Sequence, residues 1–171
     1  MHRVRWRSHL ATLAMVLVAL LAAHFWQTRN VPGGPAPDFS ALAVSAQDGA
    51  VLSLAQWRAA HPGQQVALHF WAEWCPICKL EEHSVSRVSR DWPVLTVAMQ
   101  SGDVAAVRRT LAQRGLNWPT VIDADGALAA RYGFRAVPAF VAIDPAGRIS
   151  ATSVGYTSEI GMRLRLWWAR L

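Results

Sequence analysis

Two residues in this chain have the type and spacing to do covalent chemistry: Cys75 and Cys78, its only cysteines. They lie in Trp71-Ala72-Glu73-Trp74-Cys75-Pro76-Ile77-Cys78-Lys79, after a run patterned as a buried strand and at the start of a run patterned as a helix. A sulfur at a helix N-terminus meets unpaired backbone N–H groups and the positive end of the helix dipole, which favour the thiolate. Cys75 is therefore the candidate nucleophile. Cys78, one turn further in, is placed to attack a mixed disulfide and release the product. A pair this close closes too short a loop to staple a fold, and structural disulfide frameworks come in several pairs. Zinc sites use the same spacing, but tetrahedral zinc takes two further ligands. No second cysteine pair exists, His2, His9 and His24 fall in or near the N-terminal segment, and only His69 and His83 read as neighbours of the motif. No metal is assigned. Transient Cu(I) binding by two soft thiolates stays open.

The motif needs elements to hold it, and strand-like and helical runs alternate around it. Residues 43–46 and 51–53 flank Gln47-Asp48-Gly49, whose Asp-Gly step predicts a hairpin turn. A short helix is expected over 54–61, ended by Pro62-Gly63. Residues 65–71 read as a buried strand and 76–90 as a helix, with Leu80, His83, Val85 and Val88 on one face. A second core strand follows at 94–99, then a helix at 103–114 with Asp103 as cap and Gly115 as stop. A third strand at 120–123 and a short helix at 126–132 precede a closing hairpin, 139–144 and 149–154, around Pro145-Ala146-Gly147. The terminal helix, 158–171, is expected to lay Leu164, Trp167 and Trp168 on the sheet. Such an order implies an α/β sandwich around a mixed sheet.

Composition leaves room for one such domain and a separate N-terminal segment. The chain has 171 residues, 53% hydrophobic and 16% charged, which excludes a disordered chain. Its net charge of +6 does not mark a nucleic-acid binder. Four of the 17 basic residues, Arg3, Arg5, Arg7 and Arg29, flank the N-terminal apolar run, which leaves 13 dispersed along the chain against 11 acidic ones. No nucleic-acid partner is expected. Residues 1–9 read as a basic cytoplasmic segment and 10–27 as a transmembrane anchor, near-continuously apolar from Leu10 to Trp26 with His24 its only clearly polar member. Its length is near the minimum for a hydrocarbon core of ~30 Å. The leading arginines place the remainder outside. A cleaved signal peptide is the competing reading, but no clean A-x-A site follows, and Phe25 and Trp26 suit an interfacial anchor. Residues 28–37, rich in Pro and Gly, read as an extended or flexible linker, and 38–171 as the exported domain.

The stretch from Phe70 to Lys79 resembles the active-site signature of the thioredoxin superfamily. Tyr132-Gly133-Phe134-Arg135-Ala136-Val137-Pro138-Ala139-Phe140 resembles the segment in which that superfamily carries a cis-proline against its disulfide. The resemblance covers about residues 37–170. It is similar to the membrane-anchored TlpA/ResA/CcmG branch, and most of all to ScsD-type disulfide oxidoreductases, which are associated with suppression of copper sensitivity. The resemblance implies a thioredoxin-like α/β fold with an extra N-terminal hairpin, a cis Val137–Pro138 bond and no organic cofactor. It also implies catalytic roles for Cys75, Cys78, Glu81 and Pro138, and substrate contacts by Trp74, Pro76, Ile77 and Val137. Its implied partners are protein disulfide or dithiol substrates and a membrane electron-transfer protein as redox donor. The implied location is a single pass through a bacterial inner membrane with the domain in the periplasm.

Two positions depart from the superfamily pattern. His69 stands where thioredoxin has a buried Asp that relays protons, and Val137 where Thr is frequent. His69 reads as a core histidine with satisfied ring nitrogens, a relay or thiolate-stabilising role being the alternative. Glu73, Lys79 and Glu82 read as surface residues. Between the cysteines, Pro76-Ile77 lacks the histidine found in strongly oxidising members, which points to a reductase and leaves an oxidase open. The alternative functions are a thiol reductase that prepares apocytochrome c for haem attachment and a copper-binding protein using the two thiols.

Overall fold

The computed structural model describes residues 9–19, 22, 31–44 and 50–170. Residues 9–19 are helical and exposed. Among the described residues no helix is long and apolar enough to cross a membrane. Residues 20, 21 and 23–30 of the expected anchor and linker, and the expected Asp-Gly turn at 47–49, lie outside the described residues.

Among the described residues the domain is built around a six-stranded mixed sheet. Its elements in chain order are β1 (Gly34–Pro35), β2 (Ser40–Leu42), β3 (Val51–Ser53), α1 (Leu54–Ala59), β4 (Val66–Trp71), α2 (Pro76–Val88) and β5 (Val94–Met99). They continue as α3 (Val104–Gln113), β6 (Thr120–Asp123), α4 (Ala127–Arg131), β7 (Ala139–Ile143), β8 (Arg148–Val154) and α5 (Glu159–Trp168). Strand order is β1-β8-β7-β4-β5-β6, with β4, β5 and β6 parallel and β7 antiparallel to β4 and to β8. β4 and β5 are buried along their whole length, which is why both read as nearly continuous apolar runs. The pleat sends alternate β4 side chains into different cores. Val66, Leu68 and Phe70 join the core with Tyr132 and Phe134, while Ala67 and Trp71 join Cys75, Cys78, Val85, Phe140 and Leu166. His69 shares the parity of Ala67 and Trp71 and so faces the helix that carries the cysteines.

Several sequence expectations are corrected. The N-terminal hairpin exists, but its first strand is 40–42, where Ser40 pairs with Ser53 and Leu42 with Val51. Ala43 and Val44 instead reach β6, Ala43 bridging Val121 and the Val44 N–H donating to the Thr120 carbonyl, so they cover an edge that would otherwise be open. The expected linker is held at its C-terminal end, because Gly34 and Pro35 pair with Ile149 and Arg148 of β8. On α2 the inner face is Cys78, Glu81, Ser84, Val85 and Val88, at the spacing of one helical stripe. Leu80 and His83 point outward, since two residues of offset from Cys78 and Glu81 rotate a side chain to the far side. On α5 the buried residues are Met162 and Leu166, with Ala169 just beyond its end, whereas Leu164, Trp167 and Trp168 are exposed.

Asp123 shows how β6 launches α4. Its carboxylate is buried and accepts from the Leu128 and Ala129 backbone N–H groups, both at 2.9 Å. Asp123→Ala leaves two helix-terminal donors without an acceptor. The expected cost is about 2 kcal/mol, the upper end for loss of a helix cap, read as a lower urea midpoint at unchanged slope.

Candidate active site

Cys75 caps α2 from an extended backbone conformation, and Pro76 opens the helix at a position where its missing N–H costs nothing. The two cysteines form a disulfide. The Cys78 N–H donates to Cys75 Sγ at 3.1 Å, so the backbone already aims a donor at the sulfur that would carry charge after reduction. Both cysteines are nearly buried, at 3% and 2% exposure. The rim around them is apolar and open: Trp74, Pro76 and Ile77 are exposed. Trp74 is held in place by its indole N–H, which donates to the Gln100 carbonyl at 3.0 Å. Gln100 offers that carbonyl from a left-handed backbone conformation with φ of 47°.

Across from the disulfide runs the loop before β7. The Val137–Pro138 bond is cis, as the resemblance implied, and the Val137 carbonyl oxygen lies 3.6 Å from Cys75 Sγ. Pro138 is buried and its carbonyl accepts from the Gly155 N–H at 2.8 Å, which ties the loop to the end of β8. The structure thus brings Cys75, Cys78, Val137 and Pro138 together, with Trp74, Pro76 and Ile77 on the surrounding surface.

Glu81 is one helical turn below Cys78 on the buried face of α2 and is 1% exposed. One carboxylate oxygen accepts from the Thr157 N–H; the other lies 4.0 Å from His69 Nε2. Burial pushes the Glu81 pKa up from 4.5 to about 7, against the downward pull of the Thr157 hydrogen bond. His69 is fully buried, edge-on to Trp118 at 6.1 Å and beside Phe140 at 6.5 Å. Burial lowers its pKa from 6.5 to about 3, so it is neutral over the working range. Neither ring nitrogen has a hydrogen-bond partner among the described residues, which corrects the expectation of a satisfied core histidine. A buried imidazole facing a buried carboxyl, both on the cysteine side of the sheet, is a polar pair inside an apolar core. Thr157 and Gln100 carried no sequence signal, because each acts through a backbone group. Glu82, expected at the surface, is partly covered by Arg114, whose guanidinium donates to it at 2.9 Å and to the Glu73 carbonyl at 3.0 Å.

A mixed sheet whose first long helix begins at a buried disulfide, with a cis-proline loop against the sulfur, is the arrangement of a thioredoxin-like thiol–disulfide oxidoreductase. The chain belongs to the Redoxin family, whose sequence profile matches residues 31–163. It is 33% identical over 135 residues to the soluble secreted antigen MPT53 of Mycobacterium tuberculosis, covering 74% of this chain and 73% of that one. It is 29% identical over 103 residues to a thioredoxin-like protein of Haemophilus influenzae, and the match spans 61% of that protein's length and 60% of this chain. Among solved structures it is similar to a secreted Mycobacterium tuberculosis disulfide oxidoreductase described as homologous to Escherichia coli DsbE. That likeness has a TM-score of 0.61 and 28% identity, over 75% of this chain and 94% of the other.

Proposed function

We propose that this protein is an exported, membrane-tethered reductase of protein disulfides. The observation that carries the reading is the Cys75–Cys78 disulfide at the N-terminus of α2, with the Cys78 N–H directed at Cys75 Sγ and Glu81 beneath. In the reduced protein the Cys75 thiolate attacks a substrate disulfide, forming a mixed disulfide and expelling one substrate thiolate, which takes a proton from water. Cys78 then gives its proton to the Glu81 carboxylate and attacks Cys75 Sγ. The second substrate sulfur leaves and is protonated, and two electrons have passed from the cysteine pair to the substrate. The exposed rim of Trp74, Pro76 and Ile77 receives the substrate chain, and the Val137–Pro138 loop lies beside it. A membrane electron-transfer protein restores the dithiol.

Export and tethering rest on the basic residues 1–9 and the apolar residues 10–27. The secreted character of MPT53, by its name, is consistent with export. Resemblance to ScsD-type proteins makes copper stress the condition under which loss of this protein is best examined. The reading is tested by acid-quenching living cells and alkylating with a mass-shifting maleimide. A mostly reduced Cys75–Cys78 pair in an oxidising compartment is the expected result. A mostly oxidised pair in cells that contain every donor would assign the protein to disulfide formation instead.

A further inference from the structure

α5 is apolar on two sides. Its inner stripe, Met162 and Leu166 continued by Ala169, is buried against the sheet. Its outer stripe, Ile160, Leu164, Trp167 and Trp168, repeats at helical spacing and is exposed by 71%, 59%, 55% and 63%. Four large apolar side chains in one line, two of them tryptophans, are more than the scattered exposure of an ordinary surface. Of the arginines along or just past the same helix, Arg163 is paired with Glu159 and Asp91, Arg165 donates to the Thr152 and Gly161 carbonyls, and Arg170 is exposed; the helix's one acidic residue, Glu159, is paired with Arg87 and Arg163. An exposed helix face of Trp, Leu and Ile bordered by arginines has the composition of a helix that lies in a membrane interface.

The place where the described domain begins says what covers it. Val31, Pro32 and Gly33, the first described residues of the domain, line a shallow groove of about 580 Å³ together with Leu164, Arg165 and Trp168. The apolar run of the sequence ends at Trp26, with four residues between it and Val31. That stretch reaches at most about 18 Å when fully extended. A segment inserted over residues 10–27 therefore holds the α5 face within about 2 nm of the bilayer surface.

We propose that the outer stripe of α5 seats on the surface of an anionic bilayer. Trp167 and Trp168 lie at the headgroup level, Ile160 and Leu164 reach the acyl boundary, and the exposed Arg170 meets lipid phosphate. The domain is thereby held in one orientation instead of swinging on its linker, and the disulfide is presented to partners at the membrane. This docking rests on the tethering proposed above, and the two are separable by experiment.

The test uses the full chain in vesicles of phosphatidylglycerol and phosphatidylethanolamine, with a benzophenone amino acid placed singly at Leu13, Leu164 or Ala130. Ala130 is an exposed residue on α4, across the sheet from α5. Each variant is first checked for undiminished insulin reduction. After irradiation, lipid adducts read by mass are expected at Leu13 and Leu164 and absent at Ala130. Labelling at Leu13 without Leu164 overturns the docking and leaves the tether standing. Labelling at neither overturns the tether and the docking with it. A Leu164 cross-link to a second copy of the chain, or labelling at Ala130 equal to that at Leu164, also overturns the docking.

Discussion

Cys75→Ser is expected to bring insulin reduction down to the uncatalysed rate, a loss on the order of 10³-fold or more, as for removal of an enzyme's nucleophile. The reason is chemical and not steric. A serine hydroxyl occupies nearly the same space, and the Cys78 N–H can still donate to it, but it is not ionised at neutral pH and forms no disulfide. Folding should be little changed apart from the missing cross-link, which closes a loop too short to matter much to stability. Cys78→Ser should behave differently. Cys75 can still attack a substrate disulfide, but nothing resolves the product, so mixed disulfides accumulate. Non-reducing gels of cells expressing the two variants distinguish the roles. Adducts that vanish with dithiothreitol are expected for Cys78→Ser and absent for Cys75→Ser. The opposite pattern would exchange the roles of the two sulfurs.

The parts of the fold that the sequence makes legible are those where burial is uniform. β4 and β5 sit in the middle of the sheet, covered on both faces, so composition alone marks them. The cysteine motif is legible because three properties coincide in nine residues: a buried strand, a helix start and paired sulfurs. Periodicity fails where both faces of an element are apolar. On α5 the inner and outer stripes are both hydrophobic, and only the packing against α2 and β8 decides that Leu166 is inside and Trp167 outside. Backbone pairing leaves no trace in side-chain pattern, which is why β1 reads as free linker and why Thr157 carries no signal. His69 is the sharper case. Its ring surroundings come from Trp118 and Phe140, 49 and 71 positions further along the chain, so its lack of hydrogen-bond partners among the described residues is a property of the tertiary structure.

Glu81→Gln is expected to remove an inflection near pH 7 from the rate of thiol–disulfide exchange and to slow the reductive direction by about 10²-fold at pH 8, the low end for loss of a general base. The sign follows from the carboxyl's environment. With its pKa raised to about 7 by burial, Glu81 is ionised and able to take the Cys78 proton only above that pH. The reductive rate therefore rises through pH 7. In the oxidative direction the departing Cys78 sulfur needs a proton, the protonated carboxyl supplies it, and the rate falls through the same pH. Stability carries the same signature. Between pH 4.5 and about 7 the folded protein holds a proton on Glu81 that the unfolded chain has released, so stability is lost as pH rises across that window. His69 opposes it lower down: its pKa of about 3 when folded means that stability is lost as pH falls from 6.5 toward 3. The two slopes oppose one another between pH 4.5 and 6.5, and only the Glu81 slope is left above. Urea unfolding at pH 5 and pH 8 should thus show the wild type losing stability relative to Glu81→Gln by at most about 3 kcal/mol. Glutamine keeps an oxygen for the Thr157 N–H, so the difference reports the charge and not the hydrogen bond. An inflection near pH 7 that persists in the glutamine variant would mean that another group takes the Cys78 proton, and Glu81 would then be no more than a buried carboxyl beneath the disulfide.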